Sequence, residues 1–349
     1  MTQIYFGPSL YSSILHRMLG TQSKDSDIHQ WRAFYRDGAF PENAETSAEP
    51  CKVIDDQGTV KFLLKLNDGL EIESVILPIS GFKRKRHTLC VSSQVGCAMG
   101  CDFCQTAQMG LLRNLTTAEI IAQWHAATHA LKSPIDNIVF MGMGEPLENL
   151  DTVIEAIKIL TDQNGPSIAP SKICVSTVGR VDGIYALADF AKTDGYKRIS
   201  LAVSINAPND EIRKQIMPLA KAVSMEQLRE AIMAYPRHSS GGVMAEYVLI
   251  PGVNDADEHA LEICEYLKPI GCNLNVIPYN PRENSPWPKP EEKDVERFVQ
   301  VARQTGQFVR RRITLGQDAM AACGQLGKMN AKYNQKVVPV LVSQKERKD

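Results

Sequence analysis

The spacing of apolar positions changes twice along the chain. Up to about residue 50 it is irregular: residues 10–19 and 28–35 carry short amphipathic helical patterns, and residues 41–50 have the small, polar, acidic composition of a linker. From Cys51 the period drops to two. Residues 53–54, 59–66 and 70–77 are rich in β-branched positions, with turn signals at residues 56–58 and 67–69, which predicts a small antiparallel meander. From Leu89 strand-like and helix-like stretches alternate. Strands are predicted at 89–93, 137–141, 172–178, 198–204, 243–250, 273–277 and 308–313. Helices fit between them: one capped by Thr117 with Ile120, Ile121, Trp124 and Leu131 on one face, then 149–161, 181–190, 224–235, 256–267 and 291–304. So regular an alternation predicts an α/β fold, a partial (β/α) TIM-like barrel behind a small N-terminal α+β accessory region. The expected division is 1–82 for the accessory region, 83–327 for the barrel core and 328–349 for a tail. Reactive residues of such barrels lie at the C-terminal ends of strands and in the loops that follow.

Composition narrows the function classes. With 349 residues, 44% hydrophobic and 23% charged, the chain suits one or two globular domains. No apolar stretch is long enough to span a bilayer and residues 1–10 show no signal-peptide pattern, so a cytoplasmic protein with no membrane partner, expected as a monomer, is the reading. Nine cysteines in so long a chain fit a reducing compartment better than a disulfide scaffold. Net charge is −1, so there is no global signal for nucleic acid. Two local basic runs, residues 83–86 and 310–312, and Arg113 are candidates for phosphate contacts.

Three of the cysteines form a compact motif. Cys97, Cys101 and Cys104 make a C-x3-C-x2-C triplet, a soft donor set suited to an iron–sulfur cluster. A 4Fe–4S cluster on three cysteines keeps one iron open for a further ligand, as catalytic zinc sites keep an open position. A zinc site with a distant fourth ligand is the alternative for the triplet alone. Next, Gly142, Gly144 and Glu145 follow the second predicted barrel strand; glycines let a backbone approach a ligand and Glu145 suits a cationic amine. Ser176, the Ser204-Ile205-Asn206 segment and Asn280 stand at later strand ends, where small polar groups hold a ribose or a carboxylate. Cys90 and Cys323 stand apart from the triplet, while Cys51, Cys174, Cys264 and Cys272 read as small apolar residues.

Taken together, the segments 88–97, 113–115, 142–146, 207–210 and 321–326 closely resemble the RlmN/Cfr family of radical S-adenosylmethionine (SAM) RNA methyltransferases. The resemblance runs from about residue 59 to 327 and its motifs keep the family's order. It implies methylation of an adenosine ring carbon in 23S rRNA, and in tRNA for some members. RlmN members act at carbon 2, which is favoured here, and Cfr at carbon 8. It also implies roles: Cys97, Cys101 and Cys104 bind one 4Fe–4S cluster; Gly144, Glu145, Ser176, Ser204, Ile205, Asn206 and Asn280 bind SAM; Cys323 is the cysteine that becomes S-methylated; Cys90 is its thiol partner; Glu73 is the proton acceptor. From its own surroundings in the sequence Glu73 reads as a surface carboxylate on a strand.

The chemistry implied by the resemblance answers a real difficulty. Carbons 2 and 8 of adenine are electron-poor and cannot attack the methyl of SAM directly, so a radical route is needed. One SAM methylates Cys323, a second yields a 5′-deoxyadenosyl radical that activates that methyl group, the base is joined covalently to the protein, Glu73 takes the ring proton, and Cys90 releases the product by forming a disulfide with Cys323. An external reductant must then restore the cluster and the thiols. Two departures stand out: Asn206 replaces a histidine common in the family, and residues 1–50 match poorly. A radical SAM enzyme acting on a non-RNA substrate and a zinc-bearing RNA-binding module are the competing readings.

Overall fold

A computed structural model describes residues 25–39, 48–79, 86–237, 242–313, 315–316 and 320–327. The predicted features at residues 10–19, 41–47, 83–85 and 328–349 lie outside the described residues.

Among the described residues ten strands form one sheet. Strands β1 (Ala48–Asp56), β2 (Thr59–Leu66), β3 (Glu71–Ile79) and β4 (Arg86–Cys90) are antiparallel neighbours. β4 then pairs in parallel with β7 (Asn137–Phe140). The parallel order continues through β8 (Ile173–Thr177), β9 (Ser200–Ser204), β10 (Val243–Leu249), β11 (Asn273–Pro278) and β12 (Val309–Arg311). Seven parallel strands with intervening helices make the expected barrel. It is partial, because β4 and β12 are the ends of the parallel run and do not pair with each other. The meander is not a separate layer: β3 adds directly to β4, so it extends the barrel sheet. The stretch read as a linker also ends early, since Ala48 and Pro50 already pair with Leu66 and Leu64 on the edge strand.

In the excursion after β4, β5 (Gln94–Gly96) and β6 (Leu111–Asn114) form a two-stranded ribbon, and between them lie the cysteine loop and a short helical turn, Gln105–Gln108. The following helix, Thr117–His125, is capped by Thr116 rather than Thr117. Thr116 is extended, its hydroxyl accepts from Glu119 N–H, and the Glu119 carboxylate returns to the Thr116 N–H, a reciprocal box that needs the acid three positions on. Helix 292–304 shows the usual burial logic, with Val295, Phe298, Val299 and Ala302 buried on one face. N-terminal to the sheet, Phe34 stacks on His125 at 4.2 Å and Trp31 is fully buried, so this part of the accessory region packs into the core.

Candidate active site

The cysteine loop begins where β4 ends, at the C-terminal rim of the parallel sheet. Gly96 has φ +79°, and a Cβ there would lie 1.8 Å from the Gly110 carbonyl oxygen, so only glycine lets the ribbon close beneath the loop. Cys97 N–H then donates to that same oxygen at 3.0 Å and Cys104 N–H to Cys101 O at 3.1 Å. Cys97, Cys101 and Cys104 all line one cavity. Burial pushes the Cys97 and Cys101 thiols up, and Cys104 beside them adds to the effect.

The three thiols fit a cluster. Among the described residues, no three Cys, His, Asp or Glu side chains are placed to hold a single metal ion. A cluster of four irons is wider and needs its thiolates further apart. Cys97 and Cys101, whose burial disfavours their thiolates, become better donors once a cationic group shares them. One neighbour is already positive: Arg213 is fully buried, acts on Cys101, and its Nη1 has no partner. Its other nitrogens donate to Val178 O at 2.6 Å and Ile205 O at 3.2 Å, which joins the loops after β8 and β9.

Glu145 faces this cavity from the loop after β7. Its Oε2 accepts Val178 N–H at 2.8 Å and Oε1 accepts Leu147 N–H at 3.1 Å. Burial nevertheless raises its pKa to about 7, so a cation entering the cavity would restore its charge. Gly144 has φ +100°, and a Cβ there would meet Gln94 N at 2.8 Å. That approach lets the Glu145 N–H donate to Gln94 Oε1 at 2.8 Å, binding the glycine loop to the ribbon.

The other strand ends converge on the same space. Ser176, Ser204, Asn206 and Asn280 all line the cavity. Ile205 does not; it is wholly buried and contributes backbone, its carbonyl taking Arg213. Asn206 has φ +58°, a conformation that asparagine tolerates better than most residues. Its Oδ1 accepts Val248 N–H at 2.9 Å, while its Nδ2 meets only the weak acceptor Met217 Sδ at 3.5 Å.

Cys323 closes the site from the far end of the chain. It lines the cluster-cysteine cavity and a second one, which also contains Cys90, Arg312 and Asn280. This second cavity draws on Val75 of β3 and Thr88 of β4 on one side and on Ile277 of β11 and Arg312 just after β12 on the other, so it lies along the seam of the open barrel. Two cysteines far apart in sequence thus share one space. Burial pushes the Cys90 thiol up to about 12, with Cys323 adding to it. Cys323 is exposed, but to the inside of the cavities; the protein around it raises its pKa, and Arg312 opposes the rise.

Glu73 corrects a reading made from its local sequence. It is buried, not a surface carboxylate. β3 reads as exposed on one face only if that face is open, and five consecutive residues from Ile72 to Ile76 are buried because both faces are covered. Its Oε2 lies 3.5 Å from Lys61 Nζ and accepts Gly327 N–H at 3.0 Å.

The basic candidates divide. Arg113 is already committed to carboxylates, Asp68 at 2.7 Å and Glu119 at 2.8 Å, which argues against a phosphate role. Arg311 pairs with Glu292 and Glu296 on the neighbouring helix. Arg312 points inward to the cavities, and Arg310 is exposed. Sequence reasoning missed Glu246 and Lys61. Glu246 is a buried carboxylate lining the first cavity, held by Asn275 Nδ2 at 2.8 Å and within electrostatic reach of Arg312. The available signal was a lone acid inside the apolar strand β10.

The family model for the Radical SAM superfamily matches residues 91–264. The probable dual-specificity RNA methyltransferase RlmN 1 of Protochlamydia amoebophila is 43% identical over 287 residues, covering 82% of this chain and 78% of that protein. The dual-specificity RNA methyltransferase RlmN of Syntrophotalea carbinolica is 43% identical over 301 residues, 86% of this chain and 76% of that one. The crystal structure of a radical SAM methyltransferase from Sphaerobacter thermophilus superposes with a TM-score of 0.82 at 33% identity, over 93% of this chain and 99% of that chain. Among the described residues no helix is long and apolar enough to cross a membrane. With this identity spread over most of both sequences, the chain belongs to the RlmN family of radical SAM RNA methyltransferases.

Proposed function

We propose that this protein methylates carbon 2 of an adenosine in 23S rRNA and in tRNA, with Cys323 as the methyl carrier. The observation that carries the reading is the position of Cys323, which borders both the cavity of the three motif cysteines and the cavity that reaches Cys90. The relatives are named dual-specificity RNA methyltransferases, which supports an RNA substrate, and carbon 2 is favoured because the resemblance is to the RlmN members rather than to Cfr.

Cys97, Cys101 and Cys104 would hold a 4Fe–4S cluster, and Gly144, Glu145, Ser176, Ser204, Asn206 and Asn280, with the backbone of Ile205, would hold SAM. When bound, these groups supply the methyl and the one-electron chemistry that an electron-poor ring carbon requires. The protein's own groups do the rest. Glu145 takes the cationic amine of SAM in a cavity that penalises its charge when it is alone. Arg312 favours the Cys323 thiolate, the nucleophile that accepts a methyl. Glu73 accepts the proton from the ring carbon. Cys90 attacks the Cys323 sulfur, breaking its bond to the carbon now joined to the base; that carbon keeps the electron pair and takes a proton to become the methyl group, and an external dithiol returns the Cys90–Cys323 disulfide to thiols.

The target base must leave its stack to reach so enclosed a thiol, which fits an adenosine in an unpaired RNA loop. Residues 83–86 and Arg310 are the proposed phosphate contacts, residues 1–82 the accessory region that helps choose the RNA, and the protein acts as a cytoplasmic monomer. The test is nucleoside mass spectrometry of 23S rRNA and tRNA after anaerobic incubation with reconstituted enzyme and SAM. 2-Methyladenosine in both pools is expected; 8-methyladenosine, or no methyladenosine in either pool, would contradict the proposal.

A further inference from the structure

Both ends of the segment that carries Cys323 are tied to one pair of buried side chains. Lys61 stands on β2 and Glu73 on β3, with Nζ 3.5 Å from Oε2 and the side chains 8% and 6% exposed. The same ammonium donates to the carbonyl oxygen of Met320 at 3.0 Å, where the segment begins. The same carboxylate oxygen accepts the N–H of Gly327 at 3.0 Å, where it ends. Cys323 lies between these two anchors. The pair is not needed to join β2 to β3, whose backbone ladder already aligns Leu63 with Glu73 and Lys61 with Val75. A lysine buried this far costs desolvation that an apolar side chain of similar size would avoid, so its charge is kept for what it holds.

We propose that Lys61 is a positioning residue for methyl transfer: with Glu73 it clasps the Cys323 segment at both ends, and the clasp slackens when Glu73 takes up the ring proton. This rests on the roles given to Cys323 and Glu73 under Proposed function. The C–H bond of the ring carbon breaks, its electron pair stays in the ring, and the proton goes to a Glu73 carboxylate oxygen. The carboxylate becomes a neutral acid. Lys61 then loses its counter-charge and the Gly327 N–H loses a charged acceptor, and bonds to a charged acceptor are about twice as strong as neutral ones. The two ends of the segment loosen at the step where the Cys323 sulfur must turn to Cys90, while the bonds of Gln105 N–H to Gly324 O and of Thr106 Oγ1 to Leu326 O keep its middle in place.

The experiment is amide hydrogen exchange on the reconstituted holoenzyme, read at residues 320–327, beside steady-state methylation. Lys61→Met should speed exchange in this segment by about tenfold, the effect of losing one charge-assisted hydrogen bond. Exchange in β8 and β9 should stay at the wild-type rate, which shows the fold intact. kcat should fall while KM for RNA holds, and Lys61→Arg should recover most of both losses. Glu73→Gln, an uncharged stand-in for the protonated acid, should also speed exchange at Gly327. Wild-type protection of residues 320–327 in Lys61→Met, or lost protection with unchanged kcat, would overturn the positioning role. Wild-type protection at Gly327 in Glu73→Gln would overturn the slackening. Absence of S-methylcysteine at Cys323 in the wild-type enzyme would instead remove the proposed function, and the exchange rates would still decide whether the clasp exists.

Discussion

The N–H of Gln105 donates to the carbonyl oxygen of Gly324 at 2.7 Å, joining the residue after Cys104 to the residue after Cys323. Thr106 Oγ1 adds a bond to Leu326 O at 2.6 Å. The cysteine motif and the distant thiol are therefore held by one set of contacts. Gly324 has φ +82°, and a Cβ there would lie 3.4 Å from Phe103 O. Gly324→Ala should cost about 1–2 kcal/mol from the left-handed backbone alone. It should also slow methyl loading of Cys323, measured by intact-protein mass spectrometry. Wild-type loading with the thermal midpoint lowered would show that the junction stabilises the fold without placing the thiol.

Glu145 makes stability depend on pH in a defined direction. Its folded pKa is raised from 4.5 to about 7, so between these values the folded state binds more protons than the unfolded chain. Stability contributed by this group therefore falls as pH rises through that window and is level above it, by at most about 3 kcal/mol. Denaturant unfolding of the SAM-free protein near pH 5 and near pH 8 should show a loss that Glu145→Gln reduces. SAM should bind wild type more tightly as pH rises through about 7, because its amine favours the carboxylate, and the glutamine variant should lose that trend. An identical pH dependence in both proteins would contradict the assignment.

Arg113 gives a prediction that separates structure from RNA contact. Its ion pairs with Asp68 and Glu119 are partly exposed, so Arg113→Gln should lower stability by no more than about 1 kcal/mol. RNA affinity should keep the same salt dependence, since no phosphate contact is lost. A shallower salt slope in the variant would restore Arg113 to the RNA surface.

Much of this architecture is legible in the sequence because its signals are local. The β–α alternation gives the parallel run, and the cysteine triplet, Gly142 and Gly144 stand after strands where a barrel puts its chemistry. What local pattern cannot give is the state of the second face of a strand. Glu73 looks solvent-facing until the segment at 320–327 and Lys61 cover it. The same holds for Arg113, whose two acids lie on a turn and a helix that the sequence does not pair with it. Asn206 shows the reverse case. Its departure from histidine is visible in the sequence, but its setting, a left-handed backbone with Oδ1 tied to the Val248 N–H, belongs to the fold.

The central claim is that the methyl group passes through Cys323. Anaerobically reconstituted enzyme should be incubated with methyl-labelled SAM, digested and sequenced by mass spectrometry, then chased with unlabelled SAM and RNA. The account predicts labelled S-methylcysteine at Cys323, loss of that label on the chase with its appearance in 2-methyladenosine, and neither product in Cys323→Ala. Methyladenosine made by Cys323→Ala, or labelled RNA with no label ever carried by Cys323, would contradict it.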